Sequence, residues 1–219
     1  MAKYKVKVYK GWYKARQLKA NKDGACLYIE HHFNSHIAPK PNYAMVIVKP
    51  KCGDKTKQIA AKYCDYLHKY FDIDLYDKTG INVAGFNGRG VGSLTYCKMP
   101  ALLVEPLFLS SEAMQSLIVE DWGSVKTKLV DALYNTITDF FPDGGTIALS
   151  VGHKYKLKPK HLDRGAFFHA QIKERTEYSW WRRLFYRLPK YRLVDRIYLE
   201  ADLAEEVLTE LRAKLESCI

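Results

Sequence analysis

The chain alternates compact apolar runs with stretches of helical period, and this alternation confines it to a layered α/β architecture. The runs 25–30, 43–48, 101–105 and 146–151 are short and nearly continuous in apolar residues, the pattern of strands buried on both faces. Between them, 55–70 brings Ile59, Ala60, Tyr63, Leu67 and Tyr70 to one helical face, and 125–141 does the same with Val125, Leu129, Leu133, Ile137 and Phe140. At the end, 200–216 gathers Ala204, Val207, Leu208, Leu211 and Leu215. The segment 4–9 alternates as a strand, 13–21 reads as a short helix with Leu18 inward, and 94–97 reads as a short strand. The stretch 80–92 is glycine-rich and loop-like, Ser110-Ser111-Glu112 opens a short helix with a capping residue, and Pro142-Asp143-Gly144-Gly145 stops the long one. The expectation is a single α/β domain over all 219 residues, with a mostly parallel central sheet flanked by helices.

Ionisable residues follow several of these runs. His153 follows 147–151, Glu105 follows 102–104, and His32 follows 27–29 by a short step, with His31 and His36 close by. Glu200 follows Ile197-Tyr198-Leu199 and begins the last helix, where an acid also complements the helix dipole. In open α/β sheets, ligands gather at the carboxyl edge of the strands. Two imidazoles and a carboxylate form a common zinc shell that leaves one position open, and a second carboxylate is the usual general base. Spacing alone does not decide which of His31, His32 and His36 faces such a site.

Charge narrows the partners. The net charge is +11, with 13 Lys/Arg against 4 Asp/Glu in 154–198 and 8 Lys/Arg without an acid in 1–22. Such asymmetry suits an anionic partner: nucleic acid, a membrane surface or an anionic wall polymer. Within 154–198, Tyr178-Ser179-Trp180-Trp181-Arg182-Arg183-Leu184-Phe185-Tyr186-Arg187 mixes aromatics with arginines, suited to stacking on sugars, gripping wall polymer or lying on anionic lipid. No P-loop, RNA-recognition signature or zinc-finger spacing is present, so no specific nucleic acid is expected, and a basic nucleic-acid-binding protein is a minor alternative. The five cysteines form no CxxC pair and read as free thiols of a reducing compartment. The first residues, Met1-Ala-Lys-Tyr-Lys-Val, do not form a signal peptide, from which cytoplasmic synthesis is expected.

Met99-Pro100-Ala101-Leu102-Leu103-Val104-Glu105-Pro106-Leu107-Phe108-Leu109-Ser110-Ser111-Glu112 resembles the catalytic-glutamate segment of the zinc-dependent N-acetylmuramoyl-L-alanine amidases of cell-wall turnover and phage lysis. Tyr28-Ile29-Glu30-His31-His32-Phe33-Asn34-Ser35 resembles that family's second-histidine segment, whose histidine-any-asparagine falls on His32 and Asn34 and so selects His32. Arg89-Gly90-Val91 and Leu94 fit the loop before the glutamate strand. Gly152-His153 and Asp163-Arg164-Gly165-Ala166 are similar to the first-histidine segment, and Glu200-Ala201-Asp202-Leu203-Ala204 to the acidic ligand and its helix.

The resemblance implies a zinc ion held by His153, Glu200 and His32, with Glu105 as catalytic acid and base. It implies a peptidoglycan substrate, cut at the amide between N-acetylmuramic acid and L-alanine. Another zinc peptidase or carboxypeptidase acting on wall peptides is the alternative. The segments stand in swapped order, as a circular permutation of the family would place them. His153 and Glu200 lie 47 positions apart, with the basic stretch 154–198 inserted between them, so Glu174 and Glu177 are reserve candidates for the acidic ligand. With no leader, a phage lysin acting after release from the cytoplasm is the expected setting.

Overall fold

Seven strands form one mixed sheet in the order β1-β7-β2-β6-β3-β4, with β5 paired to β3, in a computed structural model that describes residues 3–36, 42–153, 167–175 and 191–218. The strands are β1 (Tyr4–Val8), β2 (Leu27–His31), β3 (Tyr43–Val48), β4 (Asp74–Leu75), β5 (Ile81–Val83), β6 (Ala101–Glu105) and β7 (Gly145–Val151). Every pairing is parallel except β3 with β6, which is antiparallel. This is the α/β sheet the apolar runs predict, and β2, β6 and β7, almost wholly buried, lie within it.

Helices α2 (Asp54–Phe71), α3 (Glu112–Phe140) and α4 (Glu200–Glu216) cover one face. There, Leu27, Ile29, Val104 and Leu149 from the sheet meet Ile59, Leu67, Leu129, Leu133, Val207 and Leu211 from the helices, all essentially dry. Helix α1 (Tyr13–Lys22) and the 3-10 turns around 86–93 cover the other face, over a smaller cluster that includes Tyr28, Met45, Leu94 and Leu103. Among the described residues, no helix is long and apolar enough to cross a membrane. All five cysteines are free.

Four local expectations are corrected. Leu18 points outward at 48% exposure, and α1 instead buries Arg16, Gln17 and Ala20. The surface beneath α1 is polar: Gln17 bonds the Gly92 carbonyl and accepts from the Tyr96 amide, and Arg16 reaches Ser150 and Val151. Residues 94–97 turn rather than extend, with the Cys97 amide closing back on the Leu94 carbonyl. The helix opened at Glu112 does not stop before 125. It runs on to Phe140 through one non-helical residue, Asp121, whose side chain caps the amide of Ser124 at 3.0 Å. A short strand, β5, also lies inside the glycine-rich stretch.

The excursion between His153 and Glu200 contributes β8 (Phe167–Arg175) and β9 (Tyr191–Leu199), an antiparallel pair separate from the main sheet. Glu174 sits in β8 opposite Arg192. Residues 163–166, Glu177 and the aromatic–arginine run 178–187 lie outside the described residues. The backbone amide of Lys3 donates to the Cys218 carbonyl at 2.9 Å, so β1 and the end of α4 meet.

Candidate metal and catalytic site

Strands β7, β2 and β6 are adjacent and parallel, so their carboxyl ends open on one edge of the sheet. His153, His32 and Glu105 stand at those three ends. Glu200 arrives from a different direction, as the first residue of α4, where β9 delivers the chain back to the sheet. Sequence separation therefore says little here: a strand pair that leaves and returns brings Glu200 within 3.5 Å of His153, from its Oε1 to the imidazole Nε2.

His32, His153 and Glu200 each offer one ligand atom, and these atoms lie within 4.8 Å of one another. His32 Nδ1 is 3.0 Å from Glu200 Oε1, and the Phe33 amide donates to that same oxygen at 3.3 Å. Tetrahedral zinc with nitrogen and oxygen ligands at about 2.0–2.1 Å places neighbouring donors about 3.3 Å apart. The residue types and their spacing fit that ion, with one coordination position left for a substrate or water. The two imidazole rings meet edge to face with centroids 4.9 Å apart.

The backbone around them is shaped for this contact. His153 adopts φ 62°, a left-handed conformation uncommon outside glycine that concentrates at functional sites. Before it, Gly152 lies so close to the His32 ring that a β-carbon there would overlap Cε1, Nδ1 and Nε2. His32 cannot withdraw, because carboxylates hold both of its nitrogens. Gly152→Ala is therefore expected to weaken zinc affinity about tenfold or more by displacing the ring, in line with what other disturbances just outside the ligand shell cost. Competition against a chromophoric chelator, with a thermal melt to confirm folding, measures it.

Electrostatics divide the carboxylates into two roles. Burial drives the Glu105 carboxyl upward, the nearby Glu200 charge adds to this, and His32 and Arg89 only partly offset it; the result is about 7. A carboxyl balanced near neutrality suits proton transfer in both directions. Burial opposes a charge on His32, but Glu200 and Glu30 on its two nitrogens outweigh that and lift it to about 10. Glu30, 2% exposed, is held below the usual carboxylate range although burial pushes the other way, by His32 and then Arg16.

The other histidines are separated from this group. His31 projects to the opposite face of β2, fully buried, and its pKa falls to about 3, chiefly through burial. His36 is exposed and lines the mouth of the cleft. That cleft, about 590 Å³, is walled by Glu105, His32, His153 and Arg89, with Trp12 and Phe86 exposed among its lining. Sequence reasoning passed over Glu30, Arg16, Ser93 and Gly152. The signal for Glu30 was the two-residue period of a strand, which puts it on the same face as His32.

Comparison with known proteins places the fold. No protein-family profile and no curated protein matches the chain. Among solved structures, an N-acetylmuramoyl-L-alanine amidase from Clostridium difficile 630 is similar at 19% identity and TM-score 0.50, over 60% of this chain and 66% of that one. The amidase Ami1 from Mycobacterium smegmatis is similar at 16% identity and TM-score 0.46, over 59% and 60%. The catalytic domain of the amidase CwlV from Bacillus (Paenibacillus) polymyxa var. colistinus is similar at 22% identity and TM-score 0.41, over 60% and 66%. This chain thus spans just under two thirds of the first neighbour's length, and what the likeness establishes is the fold.

Proposed function

We propose that this chain is a zinc-dependent N-acetylmuramoyl-L-alanine amidase that hydrolyses the amide between the lactyl group of N-acetylmuramic acid and L-alanine in peptidoglycan. The observation that carries the reading is the pairing of a His-His-Glu donor group with a separate carboxyl poised near neutrality on the same sheet edge. The fold shared with the amidase from Clostridium difficile supports it.

His32, His153 and Glu200 would hold the ion. When bound, zinc supplies Lewis acidity, making water more acidic and a carbonyl more electrophilic. Glu105 takes the proton of the attacking water and passes it to the departing alanine nitrogen, so the C–N bond breaks to give a free carboxylate and a free amine. Burial raises the proton affinity of Glu105, which suits its carboxyl to hold the proton it takes before delivering it. Arg89, close enough to pull on the Glu105 carboxyl, favours its ionised form before the first transfer and after the second.

The order of the segments is, in this reading, a circular permutation of the amidase arrangement. The meeting of Lys3 with Cys218 supports it, because it sets the start of β1 beside the close of α4, where another chain order would connect them directly. The turn before β7, where Gly144 donates to Phe141, is then the place at which the former ends are linked.

Digestion of purified cell-wall sacculi tests the activity. Amino groups labelled after digestion are expected to be those of L-alanine, with intact stem peptides released from glycan. Shortened stem peptides with free terminal D-alanine would instead make the chain a carboxypeptidase. Unaltered sacculi under zinc-replete conditions would overturn the hydrolase reading.

A further inference from the structure

We propose that Glu30 is a positioning residue for this site: it holds the Nε2 side of His32 and so turns Nδ1 toward His153 and Glu200 as the atom offered to a metal. The inference rests on the metal-site reading above and adds to it which imidazole nitrogen binds and which residue decides that.

Glu30 and His32 are two residues apart at the end of β2 and therefore share a face. Four groups converge on the Glu30 carboxylate. Arg16 Nη2 lies 3.2 Å and the Tyr28 hydroxyl 3.0 Å from Oε2, while the Ser93 hydroxyl lies 2.8 Å and His32 Nε2 3.1 Å from Oε1. A carboxylate paired with a guanidinium only accepts hydrogen bonds, so the His32 nitrogen facing it carries a proton. The other nitrogen, Nδ1, is then the one that gives up its proton when a metal binds. It faces Glu200 Oε1 at 3.0 Å, the same oxygen that stands 3.5 Å from His153 Nε2.

The pair Arg16–Glu30 is difficult to explain as a stabilising device. Both side chains are under a tenth exposed, and a buried ion pair is rarely better for stability than apolar residues of similar volume. Its position gives it another use. Arg16 also bonds Ser150 and the Val151 carbonyl, so one guanidinium ties the end of β7, which carries His153, to the carboxylate beneath His32 on β2. The network fixes two histidines relative to one another from below, as carboxylate partners commonly orient metal-bound imidazoles.

The full-length chain with zinc alone as the probe tests this in two ways. Nitrogen-15 spectra of histidine-labelled wild type are expected to show His32 Nδ1 moving to the metal-bound position on zinc addition while Nε2 keeps its proton. Glu30→Gln is expected to lower zinc affinity about 10- to 100-fold. Zinc on Nε2, or a folded Glu30→Gln protein with affinity within twofold of wild type, overturns the positioning role while the metal site itself stands. A wild-type chain that takes up no zinc removes both readings together. If Glu30→Gln does not fold, the wild-type nitrogen assignment decides alone.

Discussion

Glu105→Gln is expected to keep a full equivalent of zinc and to lose about 10²- to 10⁴-fold in kcat, the usual range for removing a general acid–base group. The substitution preserves shape and removes only the ability to exchange a proton. It also relieves a carboxyl that burial already disfavours in its charged form, so the protein should remain folded. The pH profile gives a second readout. Glu105 must be ionised to accept a proton, and its folded-state value is raised to about 7, so activity falls as pH drops through the acid limb. A cation on His32, His153 and Glu200 favours the ionised form and moves that limb below 7, toward the ordinary carboxylate range. Glu105→Gln should lack the limb altogether. Near-wild-type turnover on sacculi by this variant would show that the carboxyl has no part in the reaction.

The second large effect separates two ligands that sequence treats alike. His32→Ala and His153→Ala are both expected to abolish stoichiometric zinc, measured by metal analysis after dialysis, and with it hydrolysis. Their stabilities should differ. His32 lies between Glu200 and Glu30, the latter 2% exposed, and its removal leaves buried carboxylates without the group that bridges them. Breaking a buried pair on one side costs about 3–5 kcal/mol. His153 is more open, at 29% side-chain exposure, so its loss should cost far less in a denaturant titration. Equal stability of the two variants would mean that the carboxylates around His32 are not held by it.

Glu105 and His153 were legible because buried parallel strands leave a plain mark, an apolar run that ends in an ionisable side chain, whereas only the amidase resemblance separated His32 from His31 and His36. The sheet then needed only to place β7, β2 and β6 side by side for the three to share an edge. Glu200 was less legible, since the 46 residues between it and His153 conceal that β8 and β9 leave the sheet and return to it. Leu18 misled for a physical reason. Hydrophobic periodicity assumes that a helix packs on an apolar surface, whereas α1 packs on one of carbonyls, a serine and a carboxylate, and offers Arg16 and Gln17 to it. For the same reason the supporting network under His32 escaped notice: its members come from α1, β2 and a 3-10 turn, and no local spacing connects them. The single long helix α3 carries its plain apolar stripe only from Val125 onward, and Asp121 interrupts its geometry without ending it, so the sequence pattern there resembles two helices.

The run Glu30-His31-His32 straddles the sheet, and this has a bearing on how the strands find one another. In the native arrangement Glu30 and His32 face a bed of donors and acceptors, and His31, uncharged, tolerates the dry side. Sliding β2 by a single residue would reverse every side chain and press the Glu30 carboxylate into the layer occupied by Ile29 and Leu27. Misalignment of this strand thus carries its own penalty before any ion arrives, so the polypeptide proofreads its central pairing with the same atoms it later uses for chemistry.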